Sequence, residues 1–191
     1  LKLAADQLQL RDLESALQLE VEEMAEQIEH TYEEISLLHD LTHNMQISRT
    51  PLELAEICIA RTHDIIKSSA NAIWTEGKDG SALFLVEGDL PFDEMGIARL
   101  ISHFEEHDWS RPLVKNNITG TLLGADFPEL DNLIIVSIAE GTHRSGWILS
   151  CNLPNGEEFG TIEANLLNSL ATILGTHIRN IDLYEQHADL L

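Results

Sequence analysis

Basic residues are scarce in this chain. It carries 11 Lys and Arg against 33 Asp and Glu, a net charge of −22 over 191 residues. A surface of that sign repels phosphate backbones and anionic lipid, which argues against nucleic acid or direct membrane contact. Cysteine is nearly absent: only Cys58 and Cys151 occur. Set on an apparent helix and an apparent strand, they read as reduced core thiols of a cytoplasmic protein, not as a disulfide framework. Long apolar runs are missing too. The longest lies within Leu133 to Ile138, a strand's length and far short of the ~18 residues of a membrane span. There is no Gly-rich phosphate loop, no nucleophile with its base, and no pair of carboxylates at a defined spacing. The segment therefore reads as non-catalytic. It starts at Leu1 without a Met and ends at Leu191 inside a helical pattern, as an excised piece of a larger protein would.

What is present is a heptad repeat over the first ~45 residues. With Val21, Ile28 and Ile35 at a, positions d hold Leu3, Leu10, Leu17, Met24, Leu38 and Met45, broken only by Thr31. Apolar residues at a 3.5 spacing keep one stripe facing a partner as helices supercoil, and β-branched a with Leu at d favours two parallel strands. A homodimer through parallel helices is expected. The alternative is a single amphipathic helix folded back on the rest of the chain. Gln7, Glu14 and Thr42 also occupy a positions, so pairing is graded along the seam. Glu20, Glu22, Glu23, Glu26, Glu29, Glu33 and Glu34 supply a solvated face.

Thr50-Pro51-Leu52-Glu53 is a strong helix start, with Thr as N-cap, Pro at the first helical position and Glu completing a capping box. Two short strands, Ala70 to Thr75 and Ser81 to Glu87, flank a turn at Gly77-Lys78-Asp79-Gly80. Leu90 to His107 returns to helical spacing with Ile97, Leu100, Ile101 and Phe104 on one face. Pro112 to Ile118 reads as a strand and Gly120 to Asp131 as a loop. Leu133 to Ala139 and Gly146 to Leu153 form a strand pair, apolar on both faces and so covered on both. A long helix from about Thr161 closes the chain, with a seam of Leu174, His177, Ile181 and Tyr184 in steps of four and three. The expected divisions are 1–46, a coiled-coil dimerisation helix; 47–176, a globular domain; and 177–191, an exit helix.

Nine histidines invite a metal reading. His39 and His43, and His103 and His107, are each spaced i,i+4 on one helical face, but no third ligand or HExxH pattern accompanies them, and no metal is expected. His39-Asp40-Leu41 and Arg49-Thr50-Pro51-Leu52 resemble parts of a histidine-kinase phosphoacceptor box, here interrupted by seven intervening positions and without an ATP-binding segment.

Trp109-Ser110-Arg111-Pro112-Leu113-Val114-Lys115-Asn116-Asn117, Ser145 to Ser150, and Phe159 through Leu170-Ala171 to Asn180-Ile181-Asp182-Leu183-Tyr184 resemble three segments of the GAF domain, a PAS-related sensory module of bacterial signalling. The resemblance covers roughly residues 35–184. It implies an α+β fold: a GAF-like central antiparallel sheet with helices on both faces, here preceded by the long coiled-coil helix. It implies a ligand between the sheet and the elements ahead of the Pro112-Leu113-Val114 strand, in a cavity lined by Phe84, Ile97, Ile101, Phe104, Trp109, Leu113 and Ser150. The alternative is that these side chains simply fill the core. Phe92-Asp93-Glu94 lacks the Asn-Lys start of the cyclic-nucleotide-binding signature, and the cysteines do not match bilin-bearing or methionine-sulfoxide-reducing members. No cofactor is assigned. The resemblance thus implies a sensory or regulatory domain; joined to the helix spacings, it gives one that shifts the paired helices, with Leu17, Val21, Met24, Ile28, Ile35, Leu38, Leu174, His177, Ile181 and Tyr184 on the dimer seam. An output domain would follow, with an HD-GYP phosphodiesterase favoured. A ligand-free dimerisation scaffold is the alternative reading, and an enzyme or phosphoacceptor domain a more distant one.

Overall fold

Thr50 opens the sheet-bearing part of the chain by capping a helix. The computed structural model describes residues 2–47, 50–76, 82–141 and 143–188. Its first helix, α1, spans Lys2–Ile47, about 69 Å at a rise of ~1.5 Å per residue. By internal contacts the chain divides into Leu1–Leu37 and Leu38–Leu191. Along α1, Leu17, Val21, Met24, Ile28 and Ile35 are each more than half exposed in the single chain. The side chains of Leu3, Leu10, Leu38, Met45 and Tyr184 lie outside the described residues, as do the expected turn at 77–80 and the end of the long helix at 48–49.

Helix α2 spans Pro51–Ile66; the Thr50 hydroxyl accepts from the Glu53 N–H, and Lys67 ends it in the left-handed region. A five-stranded antiparallel sheet follows: β1 (Ala70–Glu76), β2 (Ala82–Gly88), β3 (Leu113–Lys115), β4 (Leu133–Glu140) and β5 (His143–Cys151). Its spatial order is β2-β1-β5-β4-β3. Hairpin partners stay adjacent, while β5 slots between β1 and β4. Helices α3 (Glu94–Ser102) and α4 (Leu122–Asp126) lie between β2 and β4 in sequence, and α5 runs unbroken over Thr161–Ala188.

Alternation along the strands sorts the core into two layers. On one face Ala72, Leu113, Leu133, Ile135, Trp147, Leu149 and Cys151 pack with Ile97 and Leu100 of α3 and with Leu123 and Phe127 at α4. On the other, Ile73, Ile134, Val136, Ile138 and Ile148 are buried beneath α2 and α5. Gly175 lets α5 approach closely, since a Cβ there would meet the Ala139 carbonyl oxygen at 3.0 Å. Leu174 is fully buried and His177 nearly so within this same chain. This corrects the expectation that they line an open seam: a stripe in steps of four and three faces a helix's own sheet as readily as a partner helix. Ile181 is half-buried.

Three asparagines hold the loops around β3 and β4. Asn116 donates to the Phe159 carbonyl and accepts from the Phe159 N–H, both at 3.0 Å. Asn132 ties Glu157 to Leu153, and Asn152 ties Glu129 to Asp131. Two sequence expectations are shortened. The helix expected over Leu90 to His107 is confined to Glu94–Ser102, because Asp93 accepts from the Gly96 N–H and starts it late. The strand expected over Pro112 to Ile118 keeps only three residues. The stretch expected as a loop contains α4, started by a Thr121 hydroxyl that accepts from the Gly124 N–H.

Candidate functional site

Two tryptophans on neighbouring strands set the site. Trp74 of β1 and Trp147 of β5 are register partners in the antiparallel pair, so both indoles leave the same face of the sheet. Gly146 allows the pairing: a Cβ there would sit 2.1 Å from the Trp74 carbonyl oxygen. Trp109 arrives from the loop before β3 and meets Trp147 edge to face at 4.3 Å between ring centroids. Its carbonyl accepts from Ser137 Oγ at 2.8 Å, and His107 packs against its other side at 4.8 Å. One residue earlier, hydrogen bonds from Ser110 hold the Asp108 carboxyl below its usual range and fix the turn. The guanidinium of Arg144 lies 4.8 Å from the Trp147 centroid and 6.0 Å from that of Trp109.

Between this aromatic platform and α3 is a cavity of about 580 Å³, open to solvent on one side. Trp74 and Trp147 line it from the sheet; Glu94, Met95, Ile97, Ala98 and Ile101 line it from α3. That size falls in the range of small-molecule sites, and the mostly apolar wall with one placed polar group matches their usual make-up. Glu94 Oε1 accepts from Trp74 Nε1 at 3.0 Å. Met95, at the mouth, is 79% exposed, unusual for so apolar a side chain. Among the described residues, the wall carries one titratable group and no thiol, hydroxyl or imidazole.

Of the residues expected here, Ile97 and Ile101 line the cavity. Phe84, Phe104 and Trp109 pack against the same core layer, and Leu113 is buried within it; none forms the cavity wall. Ser150 is on the opposite face, a correction that follows from alternation: Trp147, Leu149 and Cys151 point one way, and Ser150 the other. There it donates to Asn71 Oδ1. Asn71 also accepts from Ser68 Oγ at 3.1 Å, and its Nδ2 is 3.1 Å from His63 Nδ1. This buried network ties β1 and β5 to α2. Trp74, Glu94, Met95, Ala98 and Trp147 were missed. The signal for the two tryptophans was available, since pairing NAIWTE against GWILS sets one indole beside the other.

Both cysteines are free and buried. Burial pushes the Cys58 thiol up to about 12 and raises that of Cys151 still further. The pair His103 and His107 also parts company. His103 turns to Asp126, 2.8 Å away, whereas His107 packs on Trp109 and bonds the Arg111 carbonyl. Among the described residues no three His, Cys, Asp or Glu come together in a way that would hold a metal ion. No described helix is long and apolar enough to cross a membrane.

No family model matches the chain, and no curated protein matches it. Solved structures do. The GAF domain of a putative sensor histidine kinase from Pseudomonas syringae pv. tomato is 16% identical, with 86% of this chain and 97% of that one covered at a TM-score of 0.59. The GAF domain of a phosphoenolpyruvate-protein phosphotransferase from Coxiella burnetii is 12% identical, with 81% and 98% covered at 0.59. The far-red absorbing dark state of JSC1_58120g3 with bound biliverdin IXα is 14% identical, with 76% and 99% covered at 0.57. The fold of this chain is therefore the GAF fold, as the resemblance in its sequence implies.

Proposed function

We propose that this chain is a sensory module that takes up a small molecule in the cavity under α3 and passes the event to its flanking helices. The cavity is the observation that carries this reading. It is half-open, lined by two paired indoles, and sits where the element order interrupts the sheet to insert α3. The ligand is held without a covalent bond. A thiol-linked chromophore needs a reachable thiolate, and both cysteines are core residues with raised pKa values.

The relay runs through α5 and α1. Helix α5 packs on β4 and β5 and continues to Ala188, so a shift in the sheet is carried along it. The exposed stripe Leu17, Val21, Met24, Ile28 and Ile35 has the spacing of a two-stranded parallel coiled coil, and the working unit is a homodimer. Paired helices with two packings convert small displacements into large ones. An output domain outside this segment would supply the chemistry; the segment itself senses.

Native mass spectrometry of freshly purified chain tests the reading. A bound species of a few hundred daltons on the wild type, lost in an Ala98→Trp variant whose indole plugs the cavity, is the expected result. A mass increment retained in full by Ala98→Trp would place the ligand elsewhere.

A further inference from the structure

The cavity wall is chemically one-sided. Among the described residues it offers two indole rings, four aliphatic or thioether side chains (Met95, Ile97, Ala98, Ile101) and one charge, Glu94, with no cationic side chain. The Trp74 Nε1–H fixes the Glu94 carboxylate beside the indole. A carboxylate has about four lone-pair sites, so this single bond leaves it able to receive more donors. Indole is the strongest of the side-chain π-faces for a cation. Arg144 already lies over Trp147, which leaves Trp74, bonded to Glu94, as the indole open to a ligand's charge. The net charge of −22 adds a long-range attraction for cations and opposes anions.

Resting on the cavity reading above, the geometry points to an organic cation as the ligand: a protonated or quaternary amine on a small apolar body, its charge between Glu94 and the Trp74 ring. The apolar body lies against Ile97 and Ile101. Glu94 supplies the charge complement and the Trp74 indole supplies the polarisable face. A carboxylate or phosphate ligand would meet Glu94 instead of a donor.

Three probes of one shape separate the possibilities: 2-phenylethylamine, 2-phenylethanol and phenylacetate, titrated into the whole chain and followed by tryptophan fluorescence and melting temperature. The amine should bind about tenfold tighter than the alcohol, with phenylacetate weakest. Glu94→Gln keeps an acceptor for the Trp74 indole but removes the charge. It should bring the amine down to the alcohol's affinity and leave the alcohol unchanged. Equal binding of amine and alcohol, or tightest binding of phenylacetate, overturns the cation assignment while the cavity reading stands. Binding of all three that survives Ala98→Trp, or binding of none, overturns the cavity reading and the cation assignment with it.

Discussion

At position 146 the sheet leaves no room for a methyl group. A Cβ there would meet the Trp74 carbonyl oxygen at 2.1 Å and Thr75 Cα at 2.8 Å, both backbone atoms that cannot swing aside. Gly146→Ala is expected to cost about 1–3 kcal/mol, read as a lower urea midpoint at unchanged slope, and to disturb the Trp74–Trp147 platform. A midpoint equal to wild type would contradict so close an approach of β1 and β5. His177 makes a second residue-scale prediction. The residue is 6% exposed, its Nε2 has no hydrogen-bond partner among the described residues, and burial lowers its pKa against the opposing effect of a hydrogen bond with the Thr50 backbone. The unfolded chain then binds the proton more readily than the folded one. The stability contributed by this site is intact above the free value of about 6.5 and falls as pH drops through it toward the folded-state value. The fall weakens the fold of the chain itself, since His177 is buried against its own Thr50. His177→Leu should shrink the loss in urea midpoint between about pH 8 and about pH 5.5, on either side of that free value. An undiminished loss would assign the acid sensitivity to other groups.

Helix α2 begins where Thr50, extended at φ −130° and ψ 151°, turns its hydroxyl to the Glu53 N–H. Thr50→Ala removes that acceptor while keeping the backbone that meets His177, and should cost about 1 kcal/mol. Thermal unfolding would show it as a drop of a few degrees; no drop would mean another group satisfies the N–H. Elements of this kind were legible in sequence because they carry their own signals: the Thr-Pro-x-Glu start of α2, the short apolar runs of β1 and β2 on either side of Gly77-Lys78-Asp79-Gly80, the double-sided apolar runs of β4 and β5, the spacing of α5. The five-residue α4 was not: the stretch Leu122–Asp126 is too short to show a period. The strand expected over Pro112 to Ile118 exists as β3, but its extent of three residues is set by its pairing with β4 and not by composition. The site was half legible for a related reason. Ile97 and Ile101 share a helical face that can be read locally. The closeness of Trp74 to Trp147 depends on a pairing across more than seventy residues, and Ser150 was placed wrongly because strand parity was not carried through from Trp147.

For the whole molecule, the exposed stripe on α1 and the cavity under α3 are the two features a self-contained globular core does not need. Ile28 and Ile35 are 69% and 60% exposed in the single chain. Changing both to Asp would put charges into a dimer seam, where burying an unpaired charge is costly. The double variant is expected to be monomeric by light scattering with its β-sheet circular dichroism intact; a variant that stays dimeric would move the interface off this stripe. The central claim is that the cavity is a ligand site, and a thermal-shift screen of a broad metabolite library on wild type and Ala98→Trp tests it most directly. Ligand that binds only the native state raises apparent stability by mass action, about 2.7 kcal/mol at a hundredfold excess over Kd. The prediction is that at least one class of compound raises the wild-type melting temperature by several degrees and leaves the plugged variant unmoved. A library that shifts neither protein, or shifts both alike, would contradict it.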